Sequence, residues 1–492
     1  MKRSEQSTPF VTEAPRILES PEEVLSTLGA DGKRRWIYPV SSPGRYFNWR
    51  RIVGYVLVVL YLALPVIHIG GKPAVMLDFV HREFALFGLT FYPTDTLLLL
   101  GFGVSMVLVV IIGTALLGRV WCGWACPQTV YLEFVFRPIE RLIEGKEHVR
   151  SRRDAGPMNW DKAWRKGLKL SIYLLIALLL AHTFVAYFVG WQTLIDWMLD
   201  PPGEHFGFFG MMALTTGLIL YDFGYFREQM CTIACPYARM QSVLLDPDSL
   251  IVSYDPGRGE PRAKRSRKTM EEEAAGVRPA QGDCIDCLAC VRTCPTGIDI
   301  RNGLQMECIA CTQCIDACDS IMDKIGKPRG LVRYTSEHAL AGKESRLFRP
   351  RTILYTLLIG LVSTLFVVGL VLRSDYDINV GRVTGSPFTE LPDGSIANRL
   401  RFRVRNQTGA TTTMTITGLP KDQIEMRFVG VHPMPIQPGE MIRLEAWVVV
   451  QPDYFKTSTS RETTFDVSFS DGVTETVSFP LLGPSAHEPA NN

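Results

Sequence analysis

Residues 284–318 read CIDCLACVRTCPTGIDIRNGLQMECIACTQCIDAC, and their spacing decides what the chain is. Two copies of C-x2-C-x2-C-x3-C stand in tandem, Cys284 to Cys294 and Cys308 to Cys318, the bacterial spacing for cubane iron–sulfur clusters. Three thiolates at x2 spacing hold one cluster, and the fourth, set off by x3, ligates the other. The expected ligand sets are Cys284, Cys287, Cys290 and Cys318 for one [4Fe-4S] cluster, and Cys308, Cys311, Cys314 and Cys294 for a second. Zinc is the competing occupant. Its structural sites use paired C-x2-C knuckles and four ligands in all, so two sets of four at this spacing disfavour it. Pro295 follows the first motif while Asp319 stands where a second proline would be, which weakens a turn and removes no ligand.

The other four of the twelve cysteines form two C-x3-C-P pairs, Cys122/Cys126 and Cys231/Cys235. None stands alone, so the pattern predicts metal or redox chemistry in place of a secreted disulfide framework. At 492 residues the chain should hold more than one domain. A net charge of +2 gives no polyelectrolyte basis for binding nucleic acid. The apolar fraction of 47% is unevenly spread, long apolar runs alternating with charged segments. The polar residues 1–51 predict a cytoplasmic tail and no cleavable leader.

Five runs are long enough to span a bilayer: Ile52 to Ile69, Thr96 to Leu117, Leu168 to Gly190, Phe206 to Phe226 and Thr352 to Leu372. Between the first two, Phe79, Phe84, Phe87, Phe91 and Tyr92 suggest an interfacial aromatic segment. Tyr131 to Ile143 reads as a surface helix. Lys and Arg number nine before the first span, ten in 118–167 and nineteen in 227–351, but two in 70–95 and none in 191–205. By the positive-inside rule the tail, the middle loop and region 237–350, with its ferredoxin-like domain at about 275–330, are cytoplasmic. An odd span count then places residues 373–492 in the periplasm; long translocated domains escape the rule. There, N-R-L-R-F-R-V-R (398–405) alternates strictly, and short runs recur at 414–417, 424–429, 441–450, 463–469 and 474–481. The expectation is an all-β immunoglobulin-like sandwich with a solvated arginine face.

The first four spans, within 52–236, form a duplicated hairpin. One copy ends in C-G-W-A-C-P and the other in C-T-I-A-C-P, with Arg119 and Arg227 just before the first cysteine. A parallel repeat would bring Cys122, Cys126, Cys231 and Cys235 to one depth at the cytoplasmic face. Each pair shares a helical face, and the prolines at 127 and 236 put each where a helix breaks and restarts. Four thiolates suit Cu(I), a third iron–sulfur cluster or zinc, and two dithiols could exchange by disulfide chemistry; the plain alternative is two pairs packed as small hydrophobes.

Weaker candidates are His68 and His182 as haem ligands, and His432, Met434 and Met441 as external copper ligands. Asp222 is an intramembrane carboxylate expected to pair with Arg119 or Arg227. The basic run Arg262 to Lys268 reads as a linker drawn to anionic lipid.

W-C-G-W-A-C-P, C-T-I-A-C-P-Y-A-R, the double ferredoxin motif and the external sandwich together resemble the CcoG/FixG/RdxA family, accessory proteins of cbb3-type cytochrome oxidase assembly. The resemblance covers most of the chain. It implies an inner-membrane protein with two [4Fe-4S] clusters that reduces Cu(II) to Cu(I) for the oxidase. Carried over by position, the eight ferredoxin cysteines hold the clusters, and Cys122, Cys126, Cys231 and Cys235 are the copper or third redox site. The implied partners are a cytoplasmic electron donor, copper, and oxidase subunits or copper-delivery proteins. Two other functions fit the same motifs: a quinol-linked electron carrier, or a copper-holding assembly scaffold without turnover.

Overall fold

The computed structural model describes Thr27 and residues 33–264, 281–346, 348–420, 422–455 and 458–484. Most of the expected tail and the end of the basic run, residues 265–268, lie outside them. Contacts divide the chain into two units, one of residues 1–67, 75–78 and 101–363, the other of 68–74, 79–100 and 364–492.

Four described helices are long and apolar enough to cross a membrane: Thr96–Leu117, Trp160–Val189, Phe206–Phe226 and Pro350–Val371. The expected first span is not among them. Its helix runs Arg45–Ala63 and opens with Arg45, Arg50 and Arg51, leaving residues 52–63 as the apolar part before the chain turns. That is short of the ~20 residues a full crossing takes.

In the first unit, strands Ile251–Tyr254 and Val332–Thr335 pair antiparallel and bracket the cysteine-rich stretch. Val252, Tyr254, Ile298, Ile300, Ile315, Met322 and Leu331 form its core with Cys284, Cys290 and Cys318. The domain is therefore wider than 275–330. The Arg45–Ala63 helix docks on it through its amino end, where the Asp316 carboxylate accepts from the amides of Tyr46 and Phe47 at 3.2 and 2.7 Å. A carboxylate there satisfies orphan N–H groups and complements the helix dipole. Gly44 permits the approach, since a Cβ on it would lie 2.3 Å from the Asp316 carboxyl carbon.

The expected surface helix at 131–143 is instead buried. Leu132, Phe134 and Phe136 pack inward, and Phe136 stacks on Phe223 at 4.3 Å. Its charges follow because they find partners inside. Arg227 holds Glu140 by two bonds of 2.6 and 3.2 Å, Arg150 reaches Glu140 at 2.6 Å, and Arg137 meets Glu133 and, at 3.5 Å, Glu228. Arg34 reaches Glu228 at 3.0 Å. Asp222 joins none of this. Gln128 donates to it at 3.1 Å, Arg119 bonds the Met306 carbonyl, and the Arg227 guanidinium is spent on Glu140. The expected pairing of Asp222 with an arginine is thus corrected.

In the second unit, Ile424–Val429, Met441–Val450, Ile396–Asn406 and Tyr376–Arg382 form one sheet, with Thr389–Glu390 at its edge. Met434–Ile436, Thr412–Leu419, Ser460–Phe469 and Thr474–Leu482 form the other. Leu400, Phe402 and Val404 are fully buried between them beside Phe465 and Val467. Arg399 and Arg401 on the opposite face both reach Glu445 across the strand pair, at 2.7 Å. Phe91 and Tyr92 are buried within this unit, Tyr92 under Arg405 at 4.4 Å, while Phe79 and Phe87 are exposed. His432 accepts from the Ile416 amide at 2.9 Å and stacks on Phe428, so its Nε2 is already engaged.

Burial alone would raise the Glu140 carboxyl, but Arg227 and Arg150 outweigh it and hold it down at about 2. This cage therefore contributes stability above pH about 4.5 that is lost as pH falls towards about 2. Glu140→Ala should strand Arg227 and cost about 3–5 kcal/mol, read as a lower thermal midpoint at neutral pH and a smaller loss on acidification.

Candidate metal and redox centre

Both cysteine pairs sit on the same backbone device. Gly118 and Arg227, each four residues before the first cysteine, have left-handed φ of 58° and 52°. The second cysteine of each pair is extended, with φ/ψ of −60°/127° at Cys126 and −69°/111° at Cys235, and the following proline starts a new helix. The Cys126 amide bonds the Trp121 carbonyl at 2.9 Å, and the Cys235 amide bonds that of Met230, at the equivalent place, at 2.8 Å. The proline explains the extended residue before it, and a ring at N1 loses no helical bond.

Cys231 packs against the cluster around the buried Cys122, and among the described residues no three of the four thiols lie within 4.8 Å of one another. Burial, then Arg119 opposing it, then Cys126 set the Cys122 thiol, which is pushed up to about 11. Burial followed by Cys126, Cys122 and Cys235 raises Cys231 further. The Cys122 thiol donates to the Gln241 carbonyl oxygen at 3.0 Å. Asp222 also acts on Cys126 across this space.

The eight ferredoxin cysteines enclose two separate cavities. One is lined by Cys284, Cys287, Cys290 and Cys318; the other by Cys294, Cys308, Cys311 and Cys314, with Cys290 on the wall between. These are the two sets the interleaved spacing predicts. Each loop holds left-handed residues two and four positions after its first cysteine: Asp286 and Leu288 in one, Ala310 and Thr312 in the other, with φ of 50–59°. None is glycine, so all four are uncommon conformations. Alternating hand turns successive N–H groups inward, the nest that binds anions and iron–sulfur groups. Sequence spacing gave no sign of it.

Among the described residues, Asp200, Glu204 and His205 are the three metal-capable side chains whose ligand atoms fall within 4.8 Å of one another; no three thiols do. A tetrahedral thiolate site with ~2.3 Å metal–sulfur bonds needs sulfurs ~3.8 Å apart, so both ferredoxin cavities fit a cluster better than a single zinc. His182 points its Nδ1 at the Leu178 carbonyl, 2.7 Å away.

The thiol pairs and the ferredoxin loops are in contact. Cys122, Ile309 and Cys311 form one buried apolar cluster, with Cys231 and Tyr237 packed against it. Gly123 makes the contact possible: a Cβ there would lie 2.6 Å from the Ile309 carbonyl oxygen and 2.7 Å from the Cys311 Cα. The fully buried Arg50 donates to the Gly123 carbonyl at 2.8 Å. The Trp124 indole donates to the Tyr334 hydroxyl at 3.0 Å, which donates to the Ala310 carbonyl at 3.3 Å. Gln313 bonds Glu133 at 3.1 Å. Gly123 and Gln241 carry no signal in their sequence context, and Arg50 reads there as part of a basic membrane-proximal anchor with Arg45 and Arg51.

Residues 226–337 match a family model described as a 4Fe-4S dicluster domain, and residues 99–148 one described as a 4Fe-4S binding domain. Residues 366–484 match an IG-like fold at the C-terminal of FixG. The chain is an iron–sulfur electron-transfer protein carrying an immunoglobulin-like domain. It is 37% identical to Protein RdxA of Cereibacter sphaeroides over 387 residues, 76% of this chain and 80% of that protein. Protein RdxB of the same organism is 36% identical over 435 residues, covering 85% and 88%. Nitrogen fixation protein FixG of Rhizobium meliloti is 34% identical over 436 residues, covering 79% and 80%. The chain belongs to the CcoG/FixG/RdxA family.

Burial pushes Cys308 and Cys311 up to about 11 and Cys290 and Cys318 to about 12, so these ligands are thiols at neutral pH until metal displaces the protons. Cluster-free protein should show little ultraviolet thiolate absorbance at neutral pH. Anaerobic reconstitution should release protons, measurable in weak buffer. Gly123→Ala should keep wild-type iron and sulfide yet expose Cys122, giving at least ~10-fold faster alkylation there, because local opening of about 1.4 kcal/mol less is tenfold in exposure.

Proposed function

We propose that the protein carries electrons from a cytoplasmic donor protein to Cu(II), releasing Cu(I) for assembly of a cbb3-type cytochrome oxidase. Cys284, Cys287, Cys290 and Cys318 would hold one [4Fe-4S] cluster, and Cys308, Cys311, Cys314 and Cys294 the other. Bound there, the clusters supply one-electron storage and transfer. The observation that carries the reading is the packing of Cys122 and Gly123 on Ile309 and Cys311, which leaves no solvent layer between the second cavity and the four-thiol site.

Cys122, Cys126, Cys231 and Cys235 receive the copper ion. Each Cu(II) takes one electron, and the thiolates favour the product because Cu(I) is the softer ion. Cys122 is buried while Cys126, Cys231 and Cys235 are half-buried, and the Arg119 guanidinium would offset part of the charge of four thiolates. The Lys and Arg distribution supports a cytoplasmic location for all twelve cysteines, and the apolar helix Pro350–Val371 that follows the basic segment 227–351 would carry the sandwich to the periplasm, where it would dock an oxidase subunit or copper-delivery protein. A third iron–sulfur cluster at the same four thiols is the second reading, favoured by the 4Fe-4S family match over residues 99–148, which contain Cys122 and Cys126.

Anaerobic protein given an artificial electron donor should reduce Cu(II) with formation of a Cu(I)–chelator complex. Replacing Cys122, Cys126, Cys231 and Cys235 by Ser should slow that at least ~100-fold, with about eight irons per chain retained. Retained activity sinks the site assignment. Iron falling from about twelve to about eight in the variant selects the third cluster.

A further inference from the structure

The charges around the two cavities differ. Arg301 lies on the wall of the first, beside Cys290, but it is neutralised: Asp286 and Asp299 each hold it at 2.6 Å. Beside the second, Arg50 is fully buried, and among the described residues its hydrogen bond is from Nε to the Gly123 carbonyl. Its Nη1 and Nη2 have no partner, and among the described residues no carboxylate lies within ion-pairing distance of it. The guanidinium lies over the Phe134 ring and is in the field of Cys311 first, then Tyr334, Asp316 and Cys314. Arg119, 5% exposed, bonds the Met306 carbonyl two residues before Cys308, and its Nε and Nη2 are also unpartnered. Among the described residues, two buried guanidinium groups outside any ion pair, with Asp316 and Glu307 only in their wider field, therefore flank the second cavity, whereas beside the first Arg301 is ion-paired and Arg292, which donates to the Cys287 carbonyl at 3.1 Å, is exposed to solvent.

A buried cation without a counter-charge is expensive, and a site with surplus negative charge beside it removes that cost. Four thiolates on a cluster supply such charge, and one more electron supplies more. In a dry site the attraction between that electron and a fixed cation is strong, so the cation raises the reduction potential of the group it faces.

We infer that Arg50, assisted by Arg119, makes the Cys308/Cys311/Cys314/Cys294 cluster the higher-potential of the two and so sets the direction of electron flow, from the Cys284 cavity to the Cys308 cavity and on to Cys122. The inference rests on the two-cluster reading above. Arg50 is a positioning residue in this scheme: it orders the Gly123 turn through one nitrogen and holds charge against the cluster through the other two. The arginines stand where the chain hands electrons to the membrane thiols, and the neutralised Arg301 stands at the far cavity.

The test is a potentiometric titration of the full-length protein in detergent, followed by electron paramagnetic resonance. Wild type should show two reduction waves, and the wave abolished by Cys308→Ser should be the one at higher potential. Arg50→Gln keeps a donor for the Gly123 carbonyl and removes the charge; it should lower that wave and leave the other in place. Arg50→Lys should restore most of the shift. Where Arg50→Gln does not retain both clusters, Arg119→Gln must give a downward shift of the same wave. Two waves in the reverse order, or arginine variants that leave both in place at wild-type iron and sulfide, overturn the inference while the two-cluster reading stands. Wild type purified anaerobically without iron and sulfide overturns both.

Discussion

One close approach holds the redox apparatus together: the backbone at Gly123 rests on the backbone of Ile309 to Cys311 with no side chain between. The turn that carries Cys122 and Cys126 is thereby the floor under one ferredoxin loop. Everything near it serves that approach. Arg50 ties the Gly123 carbonyl from below, Asp316 fastens the helix that carries Arg50, and Trp124 and Tyr334 close the flank. Electron transfer falls steeply with separation, so a contact of this kind is what a chain needs if two redox sites are to act as one. Removing water from it also strengthens every charge interaction inside.

The charged cage around Glu140 is the second constraint. A segment with Glu133, Arg137, Glu140 and Glu144 would ordinarily stay at the surface. Here it is interior, because Arg227, Arg150 and Lys169 come in with it. Such pairs contribute little net stability once desolvation is counted, yet losing one member is costly. Their value is in fixing where the second hairpin ends. Arg227 has a positive φ of 52° and bonds Glu140 four residues before Cys231.

Much of this was legible in the chain itself. Partition of eight cysteines into two interleaved sets needs only their spacing, and the cavities follow it. The breaks at Cys126 and Cys235 follow from Pro127 and Pro236, because a proline acts on its nearest neighbour. Strict alternation at 398–405 located the central strand of the sandwich within two residues. What escaped has no local signature. The left-handed Asp286, Leu288, Ala310 and Thr312 would be noticed as glycines, but they are not glycines. The seat of Gly123 on Ile309, the partner of Asp222 and the burial of 131–143 all depend on segments far apart in sequence. The charges of 131–143 read as a surface helix although they are matched from elsewhere, and apolar length alone makes Ile52 to Ile69 a full span although the helix begins at Arg45 and ends at Ala63.

The matched turns at Gly118 and Arg227 have a further consequence. The same bend is made once by the residue that bends freely and once by a bulky cation. Gly118 is tightly hemmed, with the Leu250 carbonyl where a Cβ would go, so that copy can only be a hinge for packing. Arg227 is buried among the Glu140 and Glu228 carboxylates, so its turn is an anchor. The two C-x3-C-P turns thus do different work: one rests on a ferredoxin loop, and the other is tied to Glu140.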